Sequence, residues 1–217
     1  MIHAALDLID TDGVEALSMR KLGQALGRDP MRLYHHTESK AALLDAVAEL
    51  VLEGLSVPPT SGGDWEQALR LAAQSFRKIA VDHPRMVPFL LTRPLALTPA
   101  LLPTSGLRWV EGLLALLADA GFDQTGALQA YRFYTGFLVG HILHEVHDLT
   151  KDSGSSPVFP RLGVDFMTHQ RYPRILALGP ALAAETGDLE LILGMDMVLM
   201  ALRRQLNAII DTHQLEK

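Results

Sequence analysis

The stretch Leu17-Ser18-Met19-Arg20-Lys21-Leu22-Gly23-Gln24-Ala25-Leu26-Gly27-Arg28-Asp29-Pro30-Met31-Arg32-Leu33-Tyr34-His35-His36 contains two short helices and the turn between them. Ser18 is suited to cap a helix running from Met19 to about Leu26, and Gly27 ends it. Asp29 then stands as N-cap of a second helix with Pro30 in its first position, where the missing N–H costs nothing. That helix is expected to end near His36. A compact turn asks Gly27 for a backbone conformation that a side chain opposes. Leu22, Leu26 and Leu33 can form the small core that sets the angle between the two helices. Arg28, Pro30, Met31, Arg32 and His35 are left on or near the outward side of the second. Helix, tight turn, helix is the arrangement that offers a short helix to the DNA major groove. There Arg can donate two hydrogen bonds to a guanine edge, and Met or Pro can lie against a thymine methyl. Tyr34, His36 and Lys40 are placed for phosphate, and a helix starting at Ser39-Lys40 adds backbone donors for an anion. Taken alone, a glycine-bounded helix pair also describes an ordinary hairpin with a solvated charged face.

Working outward, charge is unevenly spread. Residues 18–40 hold Arg20, Lys21, Arg28, Arg32 and Lys40 against Asp29 and Glu38, a net +3 within a chain of net −6, so the remainder carries −9. A basic head on an acidic body suits DNA binding through one end. A first helix, ahead of this pair, is expected over Ala4–Ile9, stopped by Thr11-Asp12-Gly13. Ser39 should cap a fourth helix to about Leu55, with Leu43, Leu44, Val47, Leu50 and Val51 on one buried face. The Pro- and Gly-rich run 57–63 is the clearest linker, which divides the chain into a head, 1–55, and a body, 56–217.

Beyond it the periodicity predicts helices over 65–82, a short segment after Pro84, then 107–120, 124–150, 163–172 and 188–213, with 94–106 read as loop because of Pro94, Pro99, Pro103 and Gly106. No stretch alternates like a strand. The fold class is all-α: a three-helix helix-turn-helix head and a larger helical body. A hydrophobic content of 48% is ample for a core, and the chain has no cysteine, which excludes a disulfide scaffold or a thiolate metal site. Asp7, Asp10 and Asp12 break what would be the apolar run of a signal peptide, and no apolar stretch is long enough to span a bilayer. The expectation is a cytoplasmic protein with no membrane partner.

The head resembles that of the TetR family of transcriptional repressors. The likeness rests on residues 17–27, on Leu33-Tyr34-His35-His36, on Ser39-Lys40, and on Leu43-Leu44-Asp45-Ala46-Val47. It implies that Arg20 can reach a base, that Tyr34, His36 and Lys40 meet phosphate, and that residues 30–32 read sequence. Such heads usually carry several more residues, often basic, ahead of the first helix; this chain begins almost inside it. In the body, Asp64-Trp65, Ser75-Phe76-Arg77, Thr92-Arg93-Pro94, Ala120-Gly121-Phe122 and the long helix through Gly140 resemble the tetracycline-repressor branch. The resemblance implies a ligand cavity in the body. It also implies a homodimer built from the helices at 124–150 and 188–213, bound to a palindromic site on double-stranded DNA and released by a small-molecule effector.

The resemblance also locates a departure. Phe89 stands where a metal-binding histidine is implied and Ala72 where a drug-holding amide is implied; neither side chain can do that work. A largely apolar effector is therefore expected, with Phe76, Phe89, Trp109, Leu113, Tyr134 and Phe137 as lining and Arg93 and His141 as polar contacts. For any one of these, plain core packing is the commoner role; the expectation concerns the cluster. No cofactor or metal is expected. The alternative from another class is a helical metalloprotein or enzyme using His141, His144, Glu145, His147 and Asp148, although Asp148 stands where a zinc-protease pattern needs histidine. A second alternative is a small-molecule carrier whose head no longer binds DNA. No phosphate loop, nucleophile elbow or catalytic carboxylate pair is present, so enzyme activity is not expected. Gly136 and Gly140 can admit a close helix approach. Leu191, Met195, Val198, Leu199, Leu202, Leu206 and Ile209 form a long apolar stripe expected to be covered by a two-fold mate.

Overall fold

A computed structural model describes residues 1–34, 37–59, 63–92, 102–149, 172–174, 177–178 and 187–215. Its principal helices are α1 (Ile2–Asp12), α2 (Met19–Leu26), α3 (Pro30–Leu33), α4 (Lys40–Leu52), α5 (Trp65–Asp82), α6 (Val87–Thr92), α7 (Thr104–Asp119), α8 (Gln124–Leu149) and α9 (Gly187–Leu215). Among the described residues there is no strand.

The head forms around α1, which packs on α4 and α2, while α2 packs on α3. Ala5, Ile9, Leu22, Leu33, Leu43, Val47 and Ala48 are its innermost side chains. This core does not stop at the linker. Met86 and Leu90, beyond α5, are buried in it, and Ile79 and Phe89 pack against it. Leu55 touches both the head core and the body core. The body is built on α8, against which α5, α6, α7 and α9 all pack.

Several expectations change on inspection. The first helix extends to Asp12, because Gly13 with φ 87° and its N–H bonded to the Ile9 carbonyl supplies the stop. α3 ends at Leu33, short of His36. The stretch read as loop over 94–106 gives way to helix at Thr104, behind Pro103. The expected helix over 163–172 lies outside the described residues, apart from Tyr172.

The largest correction concerns α9. Leu191, Met195, Val198, Leu199, Leu202 and Leu206 are all buried, with Ile209 packed beside them, inside the chain's own core. The stripe is covered intramolecularly by α8 and its neighbours, so it is not the surface a two-fold mate would cover. The other face of α9 is the one left in solvent: Leu189, Ile192, Leu193, Met197 (67% exposed) and Met200 (66% exposed). Periodicity could not choose between these faces, because both are apolar.

Candidate DNA-reading head and effector cavity

The head is shaped by three caps and one turn. Ser18 Oγ accepts from Lys21 N at 3.2 Å, Asp29 Oδ1 from Met31 N at 2.8 Å, and Ser39 Oγ from Ala42 N at 3.1 Å. Each satisfies a helix N–H that would otherwise have no partner in the helix. Gly27 has φ 62° and ψ 32°, the left-handed conformation the turn requires. Gly23 answers a different need: a Cβ there would stand 2.7 Å from the Arg28 carbonyl oxygen, so only glycine lets α2 and the start of α3 approach this closely. Leu22 and Leu33 are fully buried between them, and Leu26 is half-buried.

The same geometry turns the other side chains outward. Arg20, Arg28, Met31 (70% exposed), Arg32 and Tyr34 are exposed, and Pro30 and Lys40 are half-buried. His35 and His36 lie outside the described residues. Lys21 is drawn aside by Asp12 at 3.2 Å. The head therefore offers polar side chains and one thioether to solvent, around a short helix whose angle is locked from within.

In the body the expected ligand residues disperse. Phe76 and Trp109 stack, with ring centroids 5.5 Å apart, and both line a narrow cavity with Leu55, Leu102, Thr135 and Leu138. A wider recess of about 500 Å³ opens beside it between residues 52–57 and the first half of α7, and shares Leu55 and Trp109. Tyr134 is buried next to Trp109, but its hydroxyl is committed to the Leu69 carbonyl at 2.8 Å. Burial drives its phenol far above the ordinary range. Leu113 is fully buried in the body core. Phe89 packs against the head core instead. Phe137 faces α9, where a Cβ on Gly194 would collide with its ring, and it stacks on His141 at 6.0 Å. Arg93 lies outside the described residues.

His141 and Glu145 belong to a bracing network. Arg77 Nε donates to Glu145 Oε2 at 2.9 Å, its Nη2 donates to Oε1 at 2.5 Å, and its Nη1 pairs with Asp188. One guanidinium thus ties α5 to both α8 and α9. Burial lowers the His141 pKa, against the pull of Glu145, whose carboxylate lies 3.5 Å from Nε2. A carboxylate already holding Arg77 is poorly placed to take a metal. Among the described residues no group of three metal-ligating side chains gathers. His144 is exposed, and the side chains of His147 and Asp148 lie outside the described residues. Nor, among the described residues, is any helix long and apolar enough to cross a membrane.

Three contacts that the sequence did not announce join head to body. His83 Nδ1 lies 2.8 Å from Asp10 Oδ2, and the Arg85 guanidinium donates to the Thr11 carbonyl. Glu49 of α4 accepts from Ser105 N at 3.0 Å and Ser105 Oγ at 2.7 Å at the start of α7. Their partners are 56 to 74 residues apart in the chain. The only local hint was a carboxylate, Glu49, beside the buried face of α4.

A short helix held across a glycine turn on a small apolar core, followed by a larger helical body, defines a helix-turn-helix protein. The chain belongs to the TetR family. Residues 1–47 match the family model described as bacterial regulatory proteins, tetR family, and residues 57–205 match that of the tetracyclin repressor-like C-terminal domain. A helix-turn-helix-type transcriptional regulator of Saccharopolyspora erythraea is 32% identical over 145 residues, which cover 67% of this chain and 59% of that protein. The class A tetracycline repressor of Escherichia coli is 35% identical over 150 residues, 67% of this chain and 65% of that one. The matches thus span about three-fifths of these relatives' length. Among solved structures, a possible TetR family transcriptional regulator from Streptomyces coelicolor superposes with a TM-score of 0.78 at 27% identity, covering 94% of this chain and 97% of that one.

Proposed function

We propose that this protein is a ligand-responsive transcriptional repressor that binds a palindromic operator as a homodimer and is released by a small, largely apolar effector. The observation that carries the reading is the head, where buried Leu22 and Leu33 fix α3 so that Met31 and Arg32 stand in solvent beside Arg20 and Arg28. These are the side chains suited to base edges, and Tyr34 and Lys40 flank them for phosphate.

The homodimer reading is supported by what α8 and α9 leave uncovered. Leu189, Leu193, Met197 and Met200 recur at helical spacing on α9, and Phe133 and Leu143 are exposed on α8. Between those two α8 residues, Gly136 and Gly140 have nothing within 4 Å of a would-be Cβ. An apolar stripe beside two open glycines suits a closely packed second copy. Two heads on one two-fold axis would read half-sites about 34–36 Å apart, or a multiple of that.

Residues 1–55 serve as head and 56–217 as body in this reading. Release follows if the effector prefers the head spacing that DNA does not. Glu49–Ser105 and His83–Asp10 are the links through which a change in the body reaches α4 and α1. Salt-dependent binding to duplex DNA is the test. Lys40→Ala should weaken binding to cognate and random DNA alike and lower the salt slope by about one unit. Arg32→Ala should cost about 1–3 kcal/mol at one base position. Equal loss on both DNAs for Arg32→Ala would remove it from the reading residues, and no salt-dependent binding by the wild type would refute the function.

A further inference from the structure

Among the described residues, three buried side-chain polar atoms have no partner: Asp10 Oδ1, His141 Nε2 and Trp109 Nε1. The first two sit on groups already engaged through other atoms or by a nearby charge. Trp109 is different. Its indole N–H is its only polar group, the residue is 92% buried by its 8% exposure, and it lines both the narrow cavity and the open recess. A buried donor with no acceptor is costly and uncommon in a folded protein.

The neighbouring hydroxyls do not supply an alternative donor. Thr135 Oγ1 donates to the Tyr131 carbonyl at 2.8 Å, and Tyr134 Oη donates to the Leu69 carbonyl. The recess is lined by one charge of each sign, Glu53 and Arg108, the latter donating to Ser105 Oγ, and no titratable side chain is among the described residues lining the narrow cavity. An anion or a cation would lose its hydration there with nothing to replace it. Phe76, stacked on Trp109, supplies a flat aromatic wall. The narrow cavity has room, at about 20 Å³, for little more than a water molecule, whereas the recess beside it has about 500 Å³. Trp109 borders the recess, but its Nε1 is buried, so a ligand entering from the recess must move a side chain to reach that atom. The wall common to both spaces is Leu55, which also packs against the head core.

We propose that the Trp109 indole N–H is the polar anchor for a neutral, planar aromatic effector bearing an oxygen acceptor, which enters between residues 52–57 and α7 and displaces Leu55. This rests on the effector-responsive reading above. It adds the chemistry of the effector, its route and the residue it moves. Displacing Leu55 pulls at the C-terminal end of α4, so occupancy of the cavity and position of the head become one equilibrium.

Three probes of matched size separate the possibilities: methyl naphthyl ketone, ethylnaphthalene and naphthoate. Calorimetric titration of the full-length wild type should show the ketone binding about tenfold more tightly than ethylnaphthalene, as one buried hydrogen bond would give, and naphthoate binding weakest. In a proton–nitrogen correlation spectrum, the ketone should shift the Trp109 indole resonance and leave that of Trp65 near its free position. Trp109→Phe should bind ketone and hydrocarbon equally. Equal wild-type affinities, preference for naphthoate, or binding of none of the three would each overturn the proposal, and the wild-type ratio does not depend on the variant folding. Salt-dependent DNA binding measured on the same protein keeps the outcomes apart. If it persists while the ketone preference is missing, the anchor is wrong and the DNA-binding reading stands; if it is absent, the repressor reading fails on its own.

Discussion

The head and the body expose opposite kinds of surface. The head hides Leu22 and Leu33 and sets Arg20, Arg28 and Tyr34 in water around a four-residue helix that exposes Met31 and Arg32. The body hides one apolar face of α9 and leaves a second apolar face uncovered. Exposed polar side chains on a rigid small core suit a hydrated, charged groove, whose affinity comes from phosphates and whose specificity comes from a few base contacts. An exposed apolar stripe gains nothing from such a groove. It suits another protein surface of the same character. In the proposed function the first surface meets DNA and the second meets another copy of the chain.

The sharpest way to break this comparison is to charge each face of α9 in turn. Leu202→Glu puts a carboxylate among Leu199, Leu206 and the body core, and should cost about 4 kcal/mol or more, enough to unfold the body. Met197→Glu places the same charge on the outer face. It should leave the helical signal and cooperative melting in place while giving a monomer that no longer holds operator DNA tightly. Circular dichroism and sedimentation separate the two. If Met197→Glu remains a dimer, the outer face is not the interface; if Leu202→Glu melts like the wild type, α9 is not packed as described.

A smaller effect is expected where head and body are joined. His83→Ala removes the partner of Asp10 and leaves Arg85 to the Thr11 carbonyl as the remaining tie between the end of α1 and the turn after α5. Operator affinity should change little, while the loss of affinity caused by bound effector should shrink about threefold, within the range of ordinary allosteric coupling. Fluorescence anisotropy on labelled operator, with and without the effector, reads both quantities. An unchanged effector response would show that the signal does not pass through this contact.

The smallest effect lies inside the body, at His141. Its folded-state pKa is lowered, chiefly by burial. The unfolded chain therefore takes up a proton more readily. The stabilising contribution is complete above the unfolded value, about 6.5, and is lost as pH falls through that value toward the lower folded one. Stability should decline as pH falls below about 6.5, and His141→Gln should flatten that decline in urea titrations. An identical slope in the variant would assign the dependence to another group.

How much of this was legible in the sequence follows from how local each feature is. Ser18, Asp29 and Ser39 act on N–H groups two or three residues away, and Gly27 acts on its own backbone, so the head could be read from neighbouring letters. α2 and α5 began and ended where the caps and the periodicity placed them. The body failed differently. Leu191 and Leu189, or Leu199 and Met200, are equally apolar, and only the packing of α8 decides which turns inward. Phe89 was expected at the ligand, yet the turn after α5 carries it to the head core. Glu49 and Ser105, His83 and Asp10 meet only after the chain has folded, and no spacing rule connects them. The stripe expected to meet a two-fold mate lies inside the chain's own core for the same reason.

The central claim is that two identical heads, fixed by one two-fold axis through the body, read one inverted repeat. Purified protein should be incubated with random duplex DNA at moderate salt, and the bound fraction selected, amplified and sequenced over several rounds. The account predicts enrichment of a palindrome with half-site centres one helical turn or a small multiple apart, about 10 base pairs per turn, and loss of that enrichment in Met197→Glu. Selection of an isolated half-site, of the same sequences by the monomeric variant, or of no sequence above random would contradict it.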